Sequence, residues 1–152
     1  MREGDPLEIF TGAGGEIIFK KYSIMAELSE FSQTYADSLY KVSGMHSAVF
    51  DADRVTAYTG QGKKEVIGRS ASKEIEDILS SRTSYFKQYA TEKPLLPFQH
   101  SEMCVLGAVP VIASGDGIGV VALLGNENDT ITDAQKKLLV LTGTFLANHI
   151  EI

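Results

Sequence analysis

CVLGAVPVIASGDGIGVVALL, Cys104 to Leu124, is the stretch on which the fold turns. Two apolar runs rich in β-branched residues, Cys104–Ala113 and Gly117–Leu124, flank Ser114-Gly115-Asp116. A short polar break centred on glycine between two such runs predicts a β-hairpin. Pro110 lacks an N–H to donate, so it marks its strand as an edge or a bulge.

The pattern changes period on either side of this hairpin. After it, Thr132-Asp133-Ala134-Gln135 matches a capping box, in which the Thr and Gln side chains each satisfy the other's main-chain N–H. The helix it opens has an apolar face of Leu138, Leu141, Phe145, Leu146 and Ile150. Leu139 and Val140 widen that face beyond what one sheet needs. Before the hairpin, Thr91–Glu102 contains Pro94 and Pro97 and reads as a loop. Ser84–Tyr89 reads as an edge strand. Ser70 or Ser72 caps a helix that turns Ile75, Ile78 and Leu79 inward and Lys73, Glu74, Glu76 and Asp77 outward. Lys63–Ile67 reads as a helical turn after the break Gly60-Gln61-Gly62. His46–Asp51 and Arg54–Thr59 read as two short strands meeting at a turn-like Asp51-Ala52-Asp53. Further upstream, Ser23 caps a helix with Ile24, Leu28, Phe31, Tyr35, Leu39 and Val42 at helical spacing, and Gly44 ends it. The sum is an α+β domain with a mainly antiparallel sheet flanked by helices. That order is similar to the GAF architecture, and on pattern alone PAS-like and profilin-like folds fit nearly as well.

Bulk properties narrow the function. The chain has 152 residues and a formal charge of −6, from 14 Lys and Arg against 20 Asp and Glu. That balance disfavours a broad nucleic-acid surface. Cys104, the only cysteine, excludes an internal disulfide and a multi-cysteine zinc site. No apolar run reaches the length of a membrane span. The opening MREGDPLEIF has neither a basic leader nor an apolar core, so a cytoplasmic location is expected. No enzyme motif for phosphate, zinc or an activated serine occurs, and His46, His100 and His149 are too scattered for a relay. No enzymatic activity, cofactor or metal is therefore expected.

The N-terminal segment carries the most specific signal. Pro6 opens a strand, with Leu7 and Ile9 on one face and Glu8 and Phe10 on the other. Gly12-Ala13-Gly14-Gly15 turns the chain, and Ile17 and Phe19 then alternate with Ile18 and Lys20. Both faces are apolar, and a lone hairpin is marginal in water, so this one needs partners. Arg2-Glu3-Gly4-Asp5-Pro6-Leu7-Glu8-Ile9-Phe10 followed by Gly15–Tyr22 resembles the second half of a SpoVT/AbrB-type swapped-hairpin DNA-binding domain. Ser23–Leu28 and the Gly107, Pro110, Gly115, Asp116, Ile118 and Gly119 positions of the later hairpin extend the likeness over almost the whole chain. The resemblance is to the SpoVT family of sporulation transcription regulators, which join such a domain to a C-terminal GAF domain.

It implies a division into 1–22, the second half of the swapped-hairpin domain, and 23–152, a GAF-like regulatory and oligomerisation domain. In the family, a Gly-Arg-containing hairpin and a short helix precede the Arg2–Phe10 segment and bring the basic residues thought to face DNA. Met1 stands where that second half would begin. Between Met1 and Tyr22, Arg2, Lys20 and Lys21 face Glu3, Asp5, Glu8 and Glu16. Weak or absent binding of duplex DNA by this chain alone is therefore expected. A homo-oligomer, dimer or tetramer, is expected through Phe31, Tyr35, Leu39, Leu138, Leu141 and Phe145. An unidentified small molecule is expected in a pocket with walls from Phe50, Tyr58, Ile67 and Ile78, under a loop carrying Phe98, His100 and Glu102. The alternative is a freestanding GAF-like sensor or scaffold without DNA binding.

Overall fold

The two runs of the decisive hairpin pair as expected. β4 (Cys104–Ala113) and β5 (Asp116–Gly125) run antiparallel from Cys104↔Gly125 to Ala113↔Asp116. Ser114 and Gly115 make the two-residue turn, both at positive φ (53° and 83°), the twist that suits a tight hairpin. A computed structural model describes residues 31–150 of the chain. The hairpin expected over Arg2–Lys21 and the first turns of the helix from Ser23 lie outside the described residues.

α1 (31–43) ends at Gly44, whose positive φ lets its N–H reach back to the Tyr40 carbonyl at 2.8 Å. β1 (His46–Phe50) and β2 (Val55–Thr59) follow, joined where the Asp51 carboxylate accepts from the N–H groups of Asp53 and Arg54. α2 (Lys63–Val66) is a single turn. α3 (Lys73–Ser81) is capped by Ser72, whose hydroxyl accepts from the Ile75 N–H at 3.2 Å. β3 (Tyr85–Phe86) is shorter than the edge strand expected over Ser84–Tyr89. α4 (Asp133–Ile150) opens with the capping box. Thr132 N–H donates to the Gln135 side chain at 3.0 Å and Gln135 N–H to the Thr132 hydroxyl at 3.1 Å.

The sheet order is β2-β1-β5-β4-β3, antiparallel throughout. Its central strands are covered on both faces, which is why their runs are apolar at nearly every position. One face packs Val49, Val109, Val121 and Leu123 against α1 and α4. The other packs Ala48, Phe50, Val120 and Ala122 against α3 and the loop before β4. Two irregularities reset the alternation. Leu106 is extra on β4 between Val105↔Leu124 and Gly107↔Leu123, and Ile118 is extra on β5 between Val111↔Gly119 and Ile112↔Gly117. Pro110 lies past the last residue paired to β3, where β4 becomes an edge and needs no donor on that side.

The other edge is met by main chain at one end, where Val55 N–H donates to the Arg69 carbonyl and the Val55 carbonyl accepts from Gly68 N–H, and by a side chain at the other. Gln33 on α1 accepts from the Tyr58 N–H at 3.2 Å and donates to the Tyr58 carbonyl at 3.1 Å. Its amide replaces a missing strand and blunts an edge that would invite pairing. On α4 the buried stripe is Leu139, Gly143, Leu146, Ala147 and Ile150, not the Leu138-Leu141-Phe145 line. Gly143 decides this: a Cβ there would sit 2.9 Å from Val109, so only that face approaches the sheet closely. α3 behaves as expected, with Ile75 and Ile78 buried, each such side chain contributing about 1.5–3 kcal/mol.

Candidate functional site

Four segments distant in sequence meet at one end of the sheet around an open cleft of about 660 Å³. They are the start of β1, the turn through α2, the loop before β4, and the end of β5 with the loop that follows. Val66, Phe98, Met103 and Leu124 give the cleft apolar lining. Its polar lining is His46, Glu65, Arg69, His100, Glu102 and Asp129. Gln61, Ser101 and Asn126 line it as well, so the lining is polar and apolar in comparable measure.

His46 is held by a relay. Tyr58 is fully buried, and its hydroxyl donates to the Gln61 carbonyl at 2.9 Å. Having one proton, it must accept from His46 Nδ1, which lies 2.8 Å away. The neutral ring is therefore protonated at Nδ1 and keeps Nε2 as an acceptor. Burial, with Tyr40 adding to it, pushes the Tyr58 hydroxyl above its ordinary pKa, so that hydroxyl keeps its proton. Gly60 makes room: a Cβ there would lie 2.8 Å from both the His46 ring and the Tyr58 hydroxyl.

Arg69 is positioned without being neutralised. Its Nε donates to the Glu65 carbonyl at 3.1 Å and Nη1 to the Gln99 carbonyl at 3.4 Å. The guanidinium lies 5.3 Å over the Phe98 ring, and Phe98 is itself buried. Among the described residues the ion pairs are Lys73–Asp77 and Lys136–Asp133, so no carboxylate there pairs with Arg69.

The loop before β4 is tied down from several sides. Ser72 N–H donates to the Pro97 carbonyl and Val105 N–H to the Leu95 carbonyl. Further back, the Glu92 carboxylate accepts from the Gln88 and Tyr89 N–H groups, which hold it below the usual carboxylate range. His100, at the cleft, has φ 63°, a backbone conformation a non-glycine residue rarely adopts. Fully buried Lys87 donates from Nζ to the carbonyls of Glu127 and, at 2.8 Å, Asp129. That ammonium fixes the loop from which Asn126 and Asp129 line the cleft.

The residues expected to form the pocket divide into three groups. Phe98 and His100 line the cleft, as does Glu102. Phe50, Tyr58 and Ile78 are buried in the same apolar layer but do not line it, because their strands and α3 turn them into the core. Tyr58 reaches the cleft through His46 and Gln61, which its hydroxyl holds. Ile67 is exposed and outside it. Sequence reasoning passed over His46, Glu65, Arg69 and Asp129. The available signal was the glycine-bounded break at 60–62 beside a short basic-acidic turn, which does not say what it faces. The expected interface residues divide too. Leu39 is core, being 3% exposed, while Leu141 and Phe145 are 49% and 54% exposed. Leu138 is half-buried, the Phe31 ring packs against His149 with centroids 4.1 Å apart and planes tilted by 58°, and the Tyr35 hydroxyl lies 3.3 Å from His149 Nδ1. Val42, expected on the inner face of α1, is 67% exposed.

Cys104 is buried, and that burial raises its thiol pKa, which suppresses the reactive thiolate. Among the described residues no group of His, Cys, Asp and Glu could hold a metal ion, and no helix is long and apolar enough to cross a membrane.

The comparisons with solved structures define the class of fold. The GAF domain of an Acinetobacter phosphoenolpyruvate-protein phosphotransferase is similar, with a TM-score of 0.65 at 12% identity, covering 91% of this chain and 94% of that one. So is the cofactor-binding GAF domain of the nutrient sensor CodY from Clostridium difficile, with a TM-score of 0.56 at 14% identity, covering 89% and 97%. The fold is a GAF fold. The family described as stage V sporulation protein T C-terminal, transcription factor, matches residues 27–151, and the chain belongs to that family. It is 34% identical over 151 residues to stage V sporulation protein T of Bacillus subtilis (strain 168), covering 99% of this chain and 84% of that protein.

Proposed function

We propose that the chain is the regulatory and oligomerisation portion of a sporulation transcription regulator, and that its cleft binds a small molecule. The observation that carries the reading is the cleft itself. It combines apolar side chains with a tautomer-fixed histidine and an arginine left without a carboxylate partner among the described residues. That the CodY GAF domain is described as cofactor-binding supports the same reading by analogy of fold. Buried Cys104 supports a role without catalysis.

DNA binding in this reading depends on a segment that residues 1–22 would complete, and residues 23–152 act by assembly. The exposed Val140, Leu141 and Phe145 on α4 support a homo-oligomer. The reading is tested by thermal-shift profiles of the chain across a broad metabolite library. A saturable shift that is lost when Arg69 or His46 is replaced is expected, and a flat response to the whole library refutes the sensing role. A polarisation titration against duplex DNA checks the other half. Sub-micromolar, salt-sensitive binding by these 152 residues would contradict it.

A further inference from the structure

The Tyr58 hydroxyl has one hydrogen and two partners, the Gln61 carbonyl at 2.9 Å and His46 Nδ1 at 2.8 Å. It can donate to only one of them. With the imidazole protonated at Nδ1, the ring donates to the hydroxyl and the hydroxyl donates to Gln61. With the imidazole protonated at Nε2 instead, bare Nδ1 must accept. The hydroxyl then turns to His46, and the Gln61 carbonyl loses its donor. The two arrangements use the same atoms and exclude each other.

Tyr58 is the fixed member of the group. It is fully buried, and Gln33 holds both its N–H and its carbonyl. Gln61 is the movable one. It stands between Gly60 and Gly62, both at positive φ (149° and 76°), where glycine turns at little steric cost. The α2 turn that follows buries only Val66. Beyond it the chain is pinned, since Gly68 N–H donates to the Val55 carbonyl and Val55 N–H to the Arg69 carbonyl. A segment pinned at one end, hinged at the other and anchored by one side chain depends on the bond at its hinge. Gln61, Gly62, Glu65 and Val66 of this segment line the cleft.

We infer that the Tyr58 hydroxyl is a latch on the α2 wall of the cleft, and that the tautomer of His46 sets it. His46 Nε2 has no hydrogen-bond partner among the described residues and is the trigger. A ligand group that donates to Nε2 keeps the latch closed. An uncharged acceptor at Nε2, such as a carbonyl oxygen, selects the other tautomer. The imidazole proton passes from Nδ1 to Nε2 through water, Tyr58 turns its own proton to Nδ1, and the wall from Gln61 to Val66 is released. The cleft thereby converts hydrogen-bond polarity at one atom into the position of a wall. The effect of a ligand rests on the small-molecule reading proposed above; the latch itself does not.

The test uses no ligand, so its failure is distinct from failure of the small-molecule reading. Imidazole nitrogen shifts, read by NMR on the whole chain at about pH 8.5, where an ordinary histidine is neutral, should show His46 protonated at Nδ1. Tyr58→Phe removes the latch. It should quicken amide exchange at Glu65 and Ile67, which donate to the Gly62 and Lys63 carbonyls within this wall. The expected change is about three- to tenfold, the effect of one hydrogen bond. Val109 and Val121, paired in the middle of the sheet, should change less. Gly62→Val perturbs the hinge from the other side. An added Cβ there meets only the Glu65 carboxylate, at 3.7 Å, so valine acts through the backbone, where φ 76° disfavours it. It should quicken the same two amides. With the Gln61 carbonyl withdrawn, it should also shift His46 toward protonation at Nε2, because coupling is reciprocal. A ring protonated at Nε2 in the unaltered chain overturns the inference. So does equal quickening of sheet and wall in Tyr58→Phe, or unchanged exchange at Glu65 and Ile67 in either variant. Faster exchange in Gly62→Val with His46 still protonated at Nδ1 overturns it as well.

Discussion

Replacing Lys87 by methionine removes the one buried charge among the described residues while preserving most of the side-chain volume. The main chain at this position is unaffected. Lys87 N–H still donates to the Leu106 carbonyl, and the Lys87 carbonyl still accepts from Ile131 N–H. What disappears is the ammonium that donates to the carbonyls of Glu127 and Asp129. Hydrogen bonds to a charged group contribute about 1.5–3 kcal/mol each, so two set a ceiling near 6 kcal/mol. Two effects reduce it. Glu127 and Asp129 are exposed, so water can reach their released carbonyls. Removing a buried charge also recovers desolvation free energy, which can equal or exceed the attraction. A net loss of about 2 kcal/mol is expected. At this chain length that is a fall of about 4–8 °C in melting temperature. The urea midpoint should fall with the slope unchanged, and amide exchange should quicken at Asn126 and Asp129, in the loop that lines the cleft. Unchanged or increased stability would refute the reasoning, because the desolvation of Lys87 would then cancel its bonds completely.

Three further outcomes follow from the same structure. The Asp37 carboxyl is held below its usual range first by the Thr59 hydroxyl at 2.6 Å, with burial opposing, and then by Gln33 and Lys63. A depressed folded-state pKa stabilises the fold above the ordinary carboxylate range and loses that contribution as pH falls through it. Thr59→Val should therefore raise the Asp37 titration toward its ordinary value and flatten the acid limb of the stability curve, read by NMR titration and by melts between pH 2 and 5. Leu141→Asp should shift light-scattering mass toward the monomer with little change in melting temperature, since Leu141 is 49% exposed; a large loss of stability at constant mass would place it in the core instead. Thr132→Ala should cost about 1 kcal/mol by opening the capping box of α4, and an unchanged melting temperature would show that the cap contributes nothing.

Local chemistry made much of the fold legible. The hairpin of β4 and β5, its Ser114-Gly115 turn, the Ser72 cap and the Thr132–Gln135 box are each written in neighbouring residues, because turn geometry and helix ends are satisfied within a few positions. The bulges at Leu106 and Ile118 were hidden, since a strand apolar on both faces gives no alternation from which a change of phase can be read. The site was legible only in part. Phe98, His100 and Glu102, which the GAF-like resemblance placed over a cavity, do line the cleft. His46 was missed even though the turn at 51–53 already sets it across from the end of β2, because a hairpin alone does not say which end of the sheet carries the cleft; Arg69 was missed because nothing in sequence brings residue 69 beside 98 and 99.

The sequence by itself determined the elements, their order, the α+β class and a family resemblance that the comparisons bear out. These rest on hydrophobic period, capping and turn chemistry, all short-range. The tertiary structure alone decided which of two apolar faces of α4 is inside, since Gly143 permits close approach to Val109 on one side only. It alone assigned Gln33 to close the edge of β2 and Lys87 to fasten the loop after β5. It alone gathered one arginine, three carboxylates and a fixed imidazole around a single cleft, because long-range proximity is set by how the sheet orders its strands and not by distance along the chain.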